Sequence, residues 1–91
     1  METRPEQIED GDYVELLDIG NLDAFRNDKK RYCNRVYQAF DVRPNWWNKS
    51  NEFYPCRLKP HNSRETIPFA EAKLLKLDML EAFARLAKEH S

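Results

Sequence analysis

Short strand-like segments separated by turn signals fill most of this chain, and they limit it to a small β fold. The segments combine β-branched and aromatic residues and are bounded by Gly, Pro, Asn or Asp, a pattern typical of β-strands. In the first segment, the alternation predicts that Val14, Leu16 and Ile19 face a core. Because 91 residues hold one core of modest size, we expect a single mainly β domain, a small barrel or antiparallel sheet. The four predicted strands are residues 13–19, 35–42, 52–58 and 65–69.

The last part of the chain carries the clearest helical pattern. Asp78 can cap a helix, and Glu81 follows three residues later, as in a capping box. Apolar residues then recur at helical spacing, which indicates an amphipathic helix. We expect residues 78–91 to form a C-terminal helix packed on the β domain, which covers residues 11–77. The residues expected to make this contact are Met79, Leu80, Phe83 and Leu86, in a stripe that continues to Ala87.

Two further segments carry weaker structural signals. Residues 1–10 are polar and acidic, and we expect a flexible N-terminus. In residues 21–35, Leu22, Phe25 and Tyr32 roughly fit helical spacing, but the polar run between the last two interrupts the stripe. We favour a long basic loop here, with a helical turn at residues 22–25, and keep a helix as the alternative.

The charge of the chain is strongly segregated although its total is −1. Residues 1–25 hold eight acids and one base, whereas residues 26–64 hold ten bases and three acids. Aromatic residues are interleaved with the bases of this middle segment. Bases neutralise phosphates and aromatic rings stack on nucleobases, so residues 26–64 are a candidate nucleic-acid surface. The same residues are also compatible with a folded core and an ordinary solvated surface, because a chain this short needs its aromatic residues for packing.

A near-neutral chain with a pI near 6.1 is unusual for a dedicated nucleic-acid-binding protein. We therefore favour a protein partner and keep nucleic acid as the alternative. Small proteins with this charge segregation are typical of phage and mobile-element products, which act as accessory or inhibitory proteins by docking on a host protein. The hypothesis is a non-enzymatic binding module of that type.

The predicted binding face combines a basic loop with a tryptophan pair. Bases in the loop would steer a partner during encounter, an effect that weakens with salt. Adjacent residues on a strand point to opposite faces, so one of Trp46 and Trp47 can be buried while its neighbour anchors a partner. The alternative is a tryptophan pair that closes one end of a barrel. The predicted binding residues are Lys29, Lys30, Arg31, Arg35, Trp46, Trp47 and Lys49.

The residues that could carry chemistry are few and poorly placed for it. Structural zinc sites normally use closely spaced cysteine pairs, and neither Cys33 nor Cys56 belongs to such a pair. Neither His61 nor His90 has a spacing that predicts a dyad with a cysteine nucleophile. With two glycines the chain has no Gly-rich phosphate loop. We expect no enzyme activity, no catalytic residue, no metal and no cofactor, and we expect both cysteines to be reduced.

The apolar runs are too short to span a membrane, and the acidic N-terminus lacks the apolar region of a signal peptide. We therefore expect a cytoplasmic protein without membrane contact. The oligomeric state is left open by the sequence.

The order of the elements also carries a family resemblance. A strand follows Gly11-Asp12, then come a variable loop, two antiparallel strands and a closing Ile67-Pro68 motif. This order resembles small SH3-like β-barrels of the KOW kind, in which Gly-Asp-x-Val opens strand one and a hydrophobic-Pro motif precedes a tight turn and a last short strand. The resemblance covers about residues 11–77 and implies an SH3-like barrel with the C-terminal helix as an extension. The residues that carry it are Gly11, Asp12, Val14, Val36, Tyr37, Val42, Tyr54, Leu58, Ile67, Pro68, Phe69 and Leu74.

Overall fold

A computed structural model of the chain describes residues 8–43 and 53–89. Within them, four antiparallel strands form a closed barrel in which each strand pairs with the next and the fourth pairs back with the first. A C-terminal helix lies on the outside, so the predicted mainly β fold with a terminal helix is confirmed. The elements are β1 (Tyr13–Ile19), a 3₁₀ turn (Arg26–Asp28), α1 (Lys29–Tyr32), β2 (Val36–Phe40), β3 (Tyr54–Pro60), β4 (Ile67–Lys76) and α2 (Met79–Glu89).

Strand β1 supplies part of the core through a change of register. Val14 and Leu16 are fully buried, and a bulge between Leu16 and Asp18 shifts the alternation by one residue. Because a bulge moves the following side chains to the other face, Ile19 is buried instead of Asp18. The prediction that Val14, Leu16 and Ile19 face the core is confirmed.

Strand β4 closes the barrel, and it is longer than the sequence predicted. The prediction of a short strand at residues 65–69 followed by a tight turn is wrong, because β4 continues unbroken through ten residues. Ala72 is the junction: it pairs with Tyr54 of β3 and with Ile19 of β1. Pro68 pairs with Arg57 and does not interrupt the strand. Pairing on both sides of β4 overrides the weak strand propensity of its Ala, Glu and Lys residues.

The end of the acidic N-terminal segment belongs to the folded domain. Ile8 is buried with the barrel core, and the Asp41 amide donates to the Asp10 carboxylate at 3.0 Å. Burial of the Ile8 side chain and the hydrogen bond to Asp10 thus place residues 8–10 against the barrel, whereas residues 1–7 of the segment predicted to be flexible lie outside the described residues.

The segment between β1 and β2 contains helical turns at residues 26–32, later than the predicted turn at residues 22–25. Aromatic packing explains the position. The rings of Phe25 and Tyr32 contact the ring of Phe69, with centroid distances of 5.2 Å and 5.9 Å. Because Phe25 and Tyr32, at the two ends of the segment, both pack on Phe69, the helical turns between them form without a continuous apolar stripe. Asn34 then adopts a left-handed conformation with φ of 64°, and its amide donates to the Leu16 carbonyl at the start of the β1–β2 pairing.

Helix α2 begins as predicted and packs through only part of the predicted face. The Glu81 amide donates to the Asp78 carboxylate at 2.7 Å, which is the expected cap. Ala82 and Leu86 are the buried helix residues, and they join Val36 and Leu77 in a second small core outside the barrel. The predicted contact through Met79 and Leu80 is wrong, since both side chains are largely exposed. Of the other two predicted residues, Leu86 is buried, and Phe83 is about half exposed and contacts Tyr13 of β1.

Candidate binding surfaces

The apolar residues of α2 extend well beyond the face that touches the barrel. At about 100° per residue, seven apolar residues cover an arc of about 200°. A surface helix of a globular protein needs an apolar stripe of about 100°. Ala82 and Leu86 occupy one edge of this arc, and they are buried. Most of the rest of the arc is exposed to solvent.

Leu80 is the most exposed apolar residue of the arc. Leu80 is 84 % exposed and lies about 160° around the helix from Ala82, which is fully buried. Met79 is 63 % exposed and Phe83 is 49 % exposed. Phe83 is the least exposed of the three, because its ring contacts the ring of Tyr13 of β1. We call Met79, Leu80 and Phe83 the exposed apolar face.

An ion pair fixes the helix so that this face stays outward. The Arg85 guanidinium pairs with Glu15 of β1, and also with Glu81 one turn earlier in α2 at 3.2 Å. Glu15 is 8 % exposed, whereas the Arg85 side chain is 40 % exposed, so the pair is partly buried at the edge of the helix. Glu15 pairs with Val36 of β2 and with Leu75 of β4 in the sheet. Val36 and Leu75 in turn pack against the buried residues of α2. Polar and apolar contacts therefore fix the same orientation of α2.

In the basic segment before β2, one lysine forms an ion pair with β1 and three other bases are exposed. Lys29 pairs with Asp18 at 2.5 Å, which holds the pKa of the Asp18 carboxyl below its ordinary value and raises the pKa of Lys29. Lys29 thus fastens α1 to β1. Lys30, Arg31 and Arg35 are exposed, and the Arg31 guanidinium lies 5.6 Å from the Tyr32 ring centroid.

Arg31 and Arg35 line an open cleft of about 540 Å³ beside the end of α2. Pro60 at the end of β3 and His61 in the following turn also line the cleft, and Ile67 and Leu86 add apolar surface. A second cleft, of about 380 Å³, adjoins it. The two clefts share Asn34, Val36 and Glu89, so they form one groove along the end of α2.

The phenol of Tyr37 lies at the floor of this groove. Its hydroxyl donates to the Tyr32 carbonyl at 2.6 Å. Burial raises the pKa of Tyr37 to about 12, while the nearby Arg35 lowers it and Glu89 raises it further. The groove therefore has an arginine and a carboxylate close to one buried hydroxyl.

The structure brings together part of the predicted binding set. Arg31 and Arg35 meet in the groove, Lys30 lies next to them outside its lining, and Lys29 is held by Asp18. The other predicted binding residues lie outside the described residues. They are Trp46, Trp47 and Lys49. The contributions of Ile67, Leu86 and Glu89 were missed, because these residues reach the groove through barrel closure and helix packing.

Both cysteines are buried core residues with free thiols. Burial raises the pKa of Cys56 to about 12 and also raises the pKa of Cys33. A thiol that stays protonated is a poor nucleophile and a poor metal ligand. Across residues 8–43 and 53–89, no three or more His, Cys, Asp or Glu side chains are grouped to hold a metal ion.

Neither helix in the described part of the chain has the length and apolar content needed to cross a membrane. Comparisons of the chain with protein-family models, with curated proteins and with solved structures found no match.

Proposed function

We propose that this chain is a non-enzymatic binding module, of the accessory or inhibitory kind, that docks on a protein partner through the exposed apolar face of α2. The observation that carries the proposal is the apolar arc of α2, which is about twice as wide as the packing on the barrel requires. A contiguous apolar patch on a small protein is typical of an interaction site. The ion pair of Arg85 with Glu15 holds the patch toward solvent.

The size of the face indicates what kind of partner fits it. The exposed parts of its three side chains sum to an area on the order of 400 Å², about half of what each partner buries in a standard interface. Two copies facing each other through this patch would bury too little for a stable dimer. A concave apolar groove buries more of a helix and uses anchors at positions i, i+3 and i+7. Leu80, Phe83 and Ala87 have this spacing.

The exposed bases before β2 support the same function, because positive charge speeds the association with an acidic protein partner. Lys30, Arg31 and Arg35 lie on one exposed segment, and such a cluster attracts an acidic partner. Trp46, Trp47 and Lys49 remain predicted contacts of this partner. The same exposed bases favour the alternative, which is nucleic-acid binding through residues 26–64, and the experiment below separates the two.

The small closed four-stranded antiparallel barrel is compatible with an SH3-like barrel, and the SH3-like and KOW-like relationship is part of the proposal. The Gly11-Asp12 turn directly precedes β1. Asn34, between α1 and β2, has the left-handed conformation that glycine adopts most readily, at the point where KOW motifs carry a glycine. These features support an SH3-like barrel used as a scaffold for α2.

The test is affinity capture from nuclease-treated lysate of the source organism, with three baits. Leu80→Asp places a charge at the most exposed residue of the exposed apolar face. Leu22→Asp is the matched control, because Leu22 is 68 % exposed on the loop after β1 and not on α2. We expect a protein that is captured by the wild type and by Leu22→Asp and is lost with Leu80→Asp. Equal capture by all three baits, or capture that disappears on nuclease treatment, would contradict the proposal.

A further inference from the structure

We infer that the groove beside the end of α2 binds an extended acidic segment of the protein partner, with aliphatic residues between its carboxylates. The inference rests on the proposed function, since the segment belongs to the protein on which α2 docks. It adds a second site and states the chemistry of the ligand.

Arginine side chains give the groove positive charge. Arg31 and Arg35 line the groove from one side, and Arg85 lines its extension along α2. A guanidinium binds a carboxylate through two parallel hydrogen bonds, which gives both strength and orientation. Arg85 is already occupied by Glu15 and Glu81, so Arg31 and Arg35 are the groove arginines assigned to the ligand.

The side chains that line the groove favour a peptide over a nucleic acid as the ligand. Single-stranded nucleic acids bind where aromatic faces are open for base stacking. In this groove the Tyr32 ring is packed edge to face against Phe25 and Phe69, and Tyr37 is 3 % exposed. Tyr37 is therefore used in the core, and Tyr32 is partly buried against it. The imidazole of His61 is a further ring in the lining, so the groove offers no row of open aromatic faces. The remaining apolar wall is aliphatic, from Val36, Pro60, Ile67 and Leu86.

The carboxylate of Glu89 also favours a peptide over a nucleic acid. It lies in both parts of the groove, where it repels a continuous row of phosphates. A peptide carries its charges on separate side chains and can place an aliphatic residue or a backbone amide beside Glu89. The volume of about 540 Å³ is in the range of ligand sites and fits a few residues of an extended chain.

The experiment measures fluorescence anisotropy with three labelled probes. They are a short peptide that alternates glutamate with leucine, the same peptide with glutamine in place of glutamate, and single-stranded oligo-dT. We expect the glutamate peptide to bind the wild-type protein at least about tenfold more tightly than the other two probes.

Variants locate the site. Arg31→Glu combined with Arg35→Glu should weaken the glutamate peptide by about tenfold or more. Arg43→Glu makes the same kind of change beyond the other end of β2 and should change the affinity by less than about twofold. If the double reversal does not fold by circular dichroism, the Arg31→Gln/Arg35→Gln pair replaces it with the same expectation.

The outcomes separate this inference from the function of α2. Equal binding of the glutamate and glutamine peptides, no effect of the arginine variants, or arginine-dependent binding of oligo-dT alone would overturn the groove inference. Leu80→Asp should leave peptide binding unchanged while it abolishes capture of the partner. If peptide binding is intact in the wild type but Leu80→Asp still captures the partner, the docking role of α2 fails and the groove inference stands.

Discussion

The ring of Phe83 meets the ring of Tyr13 edge to face, with centroids 5.5 Å apart, where the buried part of α2 gives way to the exposed part. This contact predicts a graded response to truncation along the helix. Leu86→Ala removes a buried side chain and should lower the free energy of unfolding by about 3 kcal/mol. Phe83→Ala removes a half-exposed ring and should lower it by about 1 kcal/mol. Urea denaturation of both variants measures the difference. A larger loss for Phe83→Ala than for Leu86→Ala would contradict the observed orientation of α2.

Close approach of Gly20 to Glu71 predicts that Gly20 tolerates no side chain. A Cβ atom at Gly20 would lie 1.9 Å from a carboxylate oxygen of Glu71 and 2.5 Å from its Cβ. That carboxylate accepts a hydrogen bond from the Leu22 amide at 3.0 Å, so moving it breaks a second contact. Gly20→Ala should therefore cost about 1–3 kcal/mol of stability.

Gly11→Ala is the matched control for this steric effect. A Cβ at Gly11 meets nothing within 4 Å, but φ is +93° there, so backbone strain alone should cost about 1 kcal/mol. The two variants are compared by thermal melting and by the NMR shift of the Leu22 amide. That shift should move with Gly20→Ala and stay with Gly11→Ala. An unchanged melting temperature for Gly20→Ala would refute the contact.

Burial of Cys56 predicts a specific loss of stability at alkaline pH. Burial raises the pKa of the folded Cys56 thiol to about 12, whereas the ordinary pKa of a cysteine thiol is 9.0. Unfolding releases this proton between those values, so the contribution is fully present below pH 9 and is lost as pH rises toward 12. Its slope is at most about 1.4 kcal/mol per pH unit.

Cys56→Ala should flatten the pH dependence of the free energy of unfolding in this window, measured by urea melts at several alkaline pH values. Tyr37, whose pKa is also raised to about 12, titrates in both proteins and cancels in the difference. Identical alkaline slopes for the two proteins would show that the thiol does not titrate as described.

The pairing of Lys29 with Asp18 predicts that neighbouring lysines differ in their effect on partner binding. Lys30→Glu reverses an exposed charge and should slow association at low salt, with little change in the dissociation rate. Lys29→Glu should in addition destabilise α1, because it places a second carboxylate beside Asp18. Stopped-flow association at two salt concentrations and thermal melting separate the effects. Equal association rates for Lys30→Glu and the wild type would remove Lys30 from the binding face.

Local sequence signals were sufficient for some elements of this fold. β1 was predicted because turn residues bound an alternating apolar segment, and the start of α2 because Asp78 can cap it. Both signals lie within a few residues of the structure that they determine. The length of β4 was not predictable in this way, because Ala72 belongs to a strand through its pairing with Tyr54 and Ile19, residues distant in sequence.

The same limit applies to the candidate site. The stripe of α2 was visible in the sequence, but which part of it is buried depends on Glu15, which holds Arg85 from β1. Arg31 and Arg35 were predicted from charge alone, whereas Ile67 and Glu89 join them through tertiary contacts. Residue types and spacing identify the charged and apolar surfaces, and packing decides which of them reach solvent together.

Site-specific photo-crosslinking tests the central claim most directly. A photoreactive amino acid replaces Leu80 in one protein and Leu22 in another, since both positions are exposed leucines. Each protein is irradiated in nuclease-treated lysate, and the crosslinked products are identified by mass spectrometry. If α2 docks on a protein partner, position 80 gives a discrete crosslink to the same protein that Leu80→Asp fails to capture, and position 22 gives none. Crosslinks of equal yield and identity from both positions, or none from position 80 while that partner is still captured, would contradict the account.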